Sequence, residues 1–204
     1  MRITDYIQCT DFPCTEARQE SYLIPDIEAD PKSIKLMLIS ETAPNDPRDS
    51  YYAACDALFA RTTVQAFQEA GAKATSIQEL QRMGIYLTTA VKCGKNEYSV
   101  ATSTITHCSS LLEREIALFP NVKAYLLMGD VAIKAFNTIA KRQGEPRVIP
   151  AGSTYKIRGG EFTYRGKRVF PSYLQAGPSF GIEKSKQRMI AEDIAAALHV
   201  GEIN

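Results

Sequence analysis

Four cysteines are the first residues in this chain whose type and spacing could do chemistry. Cys9 and Cys14 form a Cys-x4-Cys pair near the start, Cys93 ends the stretch YLTTAVKC, and Cys108 follows fifteen positions later. Thiolates are soft ligands suited to iron–sulfur clusters and to zinc. Cys9 and Cys14 stand on an irregular segment free to wrap a metal. Cys108 has a competing reading. Helical periodicity puts it on one face with Leu111, Leu112 and Glu115, where a thiol can simply pack. Cys55 falls on the apolar face of a predicted helix and reads as core. Five cysteines are an odd count, which disfavours a plain disulfide framework.

The 204 residues suit one domain with an appended N-terminal segment, and can bury a sizeable core. No apolar run approaches the roughly 18 residues of a membrane span. The start, MRITDYIQC, lacks the basic-then-apolar layout of a secretory signal. These features point to a cytoplasmic protein with no membrane partner, where repeated cysteines mean metal, catalysis or packing more often than disulfides. Net charge is only +1, but residues 156–188 carry eight Lys and Arg against Glu161 and Glu183, a local balance of +6. A basic C-terminal third suits a polyanion, and a solvated mixed-charge face is the plainer alternative.

The elements that must position these residues follow from periodicity. Residues 1–33 are polar and aperiodic, an irregular cysteine-bearing lead-in. IKLMLIS (34–40) is a short continuous apolar run, as a buried parallel strand should be. A helix is predicted over 51–70, ended by Gly71, and a shorter one after Ser76 with Glu79 completing a capping box. GIYLTTAVK is a second strand, Ser103–Phe119 a helix, and VKAYLLMG a third strand, after which Asp130 caps a helix to about Arg142. TYKIRGGEFTYRGKRVFPS reads as a hairpin, and a last helix covers roughly 180–198. The fold class is α/β, a three-layer doubly wound fold. It has a central parallel sheet of about four strands, helices on both faces and a small β-hairpin insertion near 153–170, all in one domain over 1–204. Ligands bind such sheets beyond the carboxyl ends of the strands.

The order of motifs resembles the iron–sulfur uracil-DNA glycosylases of the uracil-DNA glycosylase superfamily. The matching stretches are Cys9 and Cys14, LMLISETAP, YLTTAVKC, Cys108, VKAYLLMGDVAIKAF and VFPSYL. The resemblance spans nearly the whole chain. It implies a [4Fe-4S] cluster on Cys9, Cys14, Cys93 and Cys108, with zinc the alternative, acting as a structural tie. It implies a DNA partner containing damaged bases, including single-stranded DNA, and a monomer. Such enzymes flip a base into a pocket and break its N-glycosidic bond through an oxocarbenium-like sugar. A carboxylate in the first loop steadies the cation or positions water. Glu41 is the best match, with Asp46 and Asp49 behind it, against a plain reading of the two aspartates as turn formers. Tyr52, or Tyr51, matches the aromatic that stacks on the base.

Departures from the family pattern fall in the pocket. Ser40 and Thr42 flank Glu41 where the family has glycine, and the spacing to Pro44 is one residue longer. Thr89 stands where an asparagine reads uracil, and Phe170 where a histidine donates to the departing base. Excision is therefore expected to be weak on uracil paired with adenine and better on mismatched or single-stranded substrates. Ser172 is expected to contact a phosphate, Leu174 to enter the vacated stack, and Lys184, Lys186 and Arg188 to neutralise phosphates. Two other readings remain: a nucleic-acid-binding protein of the same fold without excision activity, and a zinc-binding protein.

Overall fold

Continuous apolar runs become the parallel strands of one sheet because both of their faces must be covered. The computed structural model describes residues 1–53, 56–96 and 99–203. Its main strands are β2 (Leu36–Thr42), β3 (Ile85–Val91), β5 (Ala124–Met128), β6 (Phe162–Tyr164) and β7 (Lys167–Ser172), in the order β3-β2-β5-β7-β6. The first four in that order run parallel, and β6 is added antiparallel to β7. The expected parallel sheet of about four strands is therefore present, but the hairpin read as an insertion belongs to it: its second arm, β7, is the fourth parallel strand and β6 adds a fifth. Its turn has positive φ at Arg165 (50°) and Gly166 (76°), the backbone that two-residue hairpin turns require.

Alternate residues of each strand face opposite layers. Met37, Ile39, Tyr86, Tyr125 and Leu127 pack with α3 (Thr102–Ala117) and α4 (Asp130–Arg142). Leu36, Leu38, Leu87, Leu126 and Phe170 pack with α1 (Leu58–Glu69), α2 (Ile77–Arg82) and α6 (Lys184–Gly201). The capping box forms as expected: Ser76 Oγ accepts from Glu79 N–H at 3.2 Å, while Glu79 Oε2 accepts from Thr75 N–H at 2.6 Å. Gly71, at φ 94°, follows the end of α1.

Several boundaries differ from expectation. The helix predicted over 51–70 begins only at Leu58, whose N–H is accepted by Asp49 Oδ1 at 3.4 Å. Cys55, read from sequence as core on that helix, lies outside the described residues. Gly129, not Asp130, is the N-cap of α4. A single turn, α5 (Thr154–Ile157), precedes the hairpin, and α6 starts at Lys184 rather than near 180.

The lead-in is less irregular than its sequence suggests. A two-residue strand β1 (Ala17–Arg18) pairs antiparallel with β4 (Gly94–Lys95). Ile3, Ile7 and Ile24 are buried on the α3/α4 side, and the terminal ammonium donates to Ala29 O at 2.8 Å. Apolar anchors this sparse escape a periodicity search. Among the described residues no helix is long and apolar enough to cross a membrane.

Candidate active site and cysteine cluster

The carboxyl ends of β2 and β5 bring Glu41 against the start of α4. Glu41 Oε1 accepts the Val131 N–H at 3.3 Å. Its side chain lies over Gly129, where an added Cβ would meet Glu41 Oε1 at 2.5 Å and Cγ at 2.7 Å. Gly129 also has φ 97°, which L side chains rarely adopt. The glycine thus serves both the turn into α4 and the carboxylate above it. The other two candidate carboxylates are engaged locally. Asp46 caps the short turn 47–49 and is held by Arg48, whose hydrogen bonds pull its carboxyl down to about 2. Asp49 caps α1.

A pocket of about 110 Å³ lies beside the end of β3, between the lead-in and the loop that follows β2. Tyr52 and Thr89, two of the three residues expected to hold a base, line it together with Tyr51 and Thr88. Leu23, Ile24, Pro25 and Asp26 form the opposing wall, which sequence reasoning missed. Most of the polar side chains here are already committed. The Tyr52 hydroxyl donates to Leu87 O at 3.1 Å and accepts Leu87 N–H at 3.0 Å, capping the open edge of β3. Thr89 Oγ1 donates to Val91 O at 2.9 Å, so toward a ligand it can only accept. Burial pushes the Tyr51 phenol up to about 12, and it donates to Ser40 Oγ at 2.7 Å while accepting from Gln175 Nε2 at 3.0 Å.

Phe170 is not brought to this pocket. It sits opposite Leu126 in the β5–β7 ladder, two residues short of the end of β7, and its ring is buried on the α1/α6 side. An aromatic here fills core. Ser172 is fully buried and donates to Asp193 Oδ2 at 2.5 Å, so its hydroxyl is turned into the protein rather than toward a phosphate. Burial raises the Asp193 carboxyl despite the adjacent Arg158 guanidinium at 2.8 Å. Arg158, one of the eight basic residues of 156–188, is thereby tied to α6. Leu174 is half-buried against the α1/α6 core. Lys186 pairs with Glu183 at 2.7 Å and Arg188 with Glu192 at 3.1 Å, while Lys184 is exposed at the start of α6.

The four cysteines divide between two apolar clusters. Cys14 and Cys93 share a small apolar cluster with Ala17, flanked by Phe12 and Tyr22. Cys108 joins the α3/α4 core, and Cys9 packs against that same core. Burial pushes the Cys93 thiol up to about 12, and charge on Cys108, Cys14 and Cys9 would add to the rise. The Cys108 thiol is raised by burial as well. The Lys92 N–H donates to Cys108 Sγ at 3.4 Å, and the Cys9 N–H to the Tyr22 hydroxyl at 2.8 Å. Among the described residues, no three His, Cys, Asp or Glu side chains form a group that could hold a metal ion as they stand. Four free thiols are nonetheless the donor set an iron–sulfur cluster takes.

Beneath both features lies an ion pair that sequence reasoning did not find. Lys92 and Glu115 are 0% exposed and meet at 2.5 Å. The Lys92 ammonium also donates to Thr88 Oγ1 at 2.7 Å and to Thr89 O at 2.6 Å. Glu115 Oε1 accepts from the Tyr86 hydroxyl at 2.5 Å and from Thr88 Oγ1 at 2.8 Å. Burial first, and the Glu115 charge next, hold the Tyr86 phenol well above its usual range, so it serves as a donor. The available signal was Glu115 itself: an acidic residue on an apolar helix face needs a buried partner.

The three-layer α/β fold agrees with comparisons to known proteins. The sequence model of the uracil DNA glycosylase superfamily matches residues 28–194, and the chain belongs to that superfamily. A curated relative, the type-5 uracil-DNA glycosylase of Thermus thermophilus, is 25% identical over 99 residues, covering 48% of this chain and 45% of that protein. The match thus spans less than half the length of that relative.

Proposed function

We propose that this protein is a DNA glycosylase that flips a damaged base, uracil or a related deaminated base, and hydrolyses its N-glycosidic bond. The carrying observation is the pocket lined by Tyr52 and Thr89 at the end of β3, next to the strand that presents Glu41. Ser40, adjacent to Glu41, lies directly opposite Thr89 in the ladder. Glu41, fixed by the Val131 N–H, supplies the negative charge that steadies an oxocarbenium-like sugar or orients water. Thr89 offers the base an acceptor, which suits a ring N–H. Tyr52 and Tyr51 provide aromatic surface.

The four cysteines would hold a [4Fe-4S] cluster, and zinc is the alternative metal. Such a group supplies a cross-link between lead-in, sheet and α3. Anaerobically purified protein is expected to be brown with about four irons per chain. Single Cys→Ala changes at positions 9, 14, 93 or 108 should bleach it. A colourless preparation with stoichiometric zinc would overturn the cluster.

DNA is engaged, in this reading, through the basic C-terminal third. Changing Lys184, Lys186 and Arg188 together to glutamate should weaken binding to every sequence. It should also flatten the salt dependence by roughly one unit per lost phosphate contact. Unchanged binding at low salt would leave these residues as a solvated surface, as their pairing with Glu183 and Glu192 allows.

The deciding test is an excision assay over single-stranded, mismatched and matched oligonucleotides carrying uracil, hypoxanthine or xanthine. Activity should rank in that order of strand context, because a weakly paired base is easier to flip. The second reading, a DNA-binding protein without excision, is favoured by the committed Thr89 proton and by Phe170 lying in the core. Binding with no excision from any of these substrates would establish it.

A further inference from the structure

We propose that Lys92 is the positioning residue of the base pocket, joining its floor, its lead-in wall and the cysteine-bearing helix into one unit. This rests on reading the pocket as the base site. The side chain folds back along β3 and spends all three ammonium protons on Thr88 Oγ1, Thr89 O and Glu115 Oε2. Thr88 and Thr89 are the pocket floor, and Glu115 belongs to α3, two turns beyond Cys108. The peptide of the same residue makes the other two links. Its carbonyl accepts the Leu23 N–H at 2.7 Å, which holds the wall 23–26 against the end of β3. Its N–H reaches Cys108 Sγ, and the next residue is Cys93.

Stability alone does not explain this arrangement. Taking two charges out of water is costly, and an apolar pair of similar volume often serves a core as well. What an apolar pair cannot do is hold the Thr89 carbonyl and the Thr88 hydroxyl in fixed directions. Without the ammonium, the end of β3 can relax away from the lead-in and the gap that receives the base loses its width. The chemistry at Glu41, on the next strand, is untouched by that change. Lys92 should therefore govern how well the base is held rather than how fast its bond breaks.

The test compares the parent with Lys92→Met/Glu115→Gln, which removes both charges together and leaves an amide able to accept from Tyr86 and Thr88. The substrates are single-stranded oligonucleotides carrying one uracil, hypoxanthine or xanthine. KM should rise about tenfold, the scale of one lost charged hydrogen bond, with kcat within about threefold of the parent. Iron per chain, visible absorbance and cooperative melting should stay as in the parent. Should the double variant not fold, Thr88→Val removes the central hydroxyl isosterically and should raise KM in the same direction. An unchanged KM, with kcat reduced only in proportion to the folded fraction, would make the network purely structural and overturn the proposal. A parent that excises none of the three bases overturns the base-site reading and this proposal with it, a pattern distinct from an active parent with an indifferent variant.

Discussion

Replacing Glu115 alone by alanine is expected to lower folding stability by about 3–5 kcal/mol, because it strands the Lys92 ammonium in a site closed to water. The Tyr86 and Thr88 hydroxyls lose their acceptor in the same step, which adds buried unpaired donors. Against a typical total of about 5–15 kcal/mol, such a loss leaves a small domain near its unfolding threshold. Urea titration followed by circular dichroism should show the midpoint fall with the slope unchanged. Glu115→Gln should cost less, since its carboxamide oxygen still accepts from Tyr86. A midpoint for Glu115→Ala within experimental error of the parent would mean that water reaches this pair. The contrast with the paired double substitution is the informative part. Removing one charge exposes the cost of burying the other, whereas removing both leaves only the altered pocket.

Glu41→Gln is expected to reduce excision about a hundredfold, the lower end of what a positioned acid–base or charged group contributes. Its DNA affinity should hardly change, because a carboxylate bonded to a helix N–H offers a phosphate neither a donor nor a positive charge. Gly129→Ala should produce a similar loss by a different route. The new methyl would lie 2.5–2.8 Å from the Glu41 carboxylate and must push it aside, on a backbone whose φ of 97° already disfavours alanine. Single-turnover assays on a single-stranded substrate measure both. If Glu41→Gln retains the parent rate, the reacting group lies elsewhere, and Asp49, in the turn 47–49, becomes the next residue to change.

How much of this was legible in the sequence depended on how local the determining forces are. The strands were readable because a sheet covered on both faces demands unbroken apolar runs such as LMLI and YLLM, and the capping box at Ser76 because it acts over three residues. The order of the cysteines carried the cluster reading, and Glu41, expected in the loop after the first strand, lies inside β2, which runs on to Thr42. Three decisions belonged to the tertiary structure. Phe170 aligned with a catalytic histidine by motif order, yet the β5–β7 register turns it into the α1/α6 core, and register depends on pairing between distant strands. Ser172 looked available to a phosphate until Asp193, on another element, took its proton. Lys92 and Glu115 are 23 residues apart, and neither announces its partner. Sequence periodicity reports which face of an element is buried, but not which distant group it meets there, because that depends on how the layers stack. Composition and local pattern therefore fixed the frame of the protein and the family it resembles, while the wall, floor and charge pairing of its pocket arose only when the lead-in and α3 closed over the end of β3.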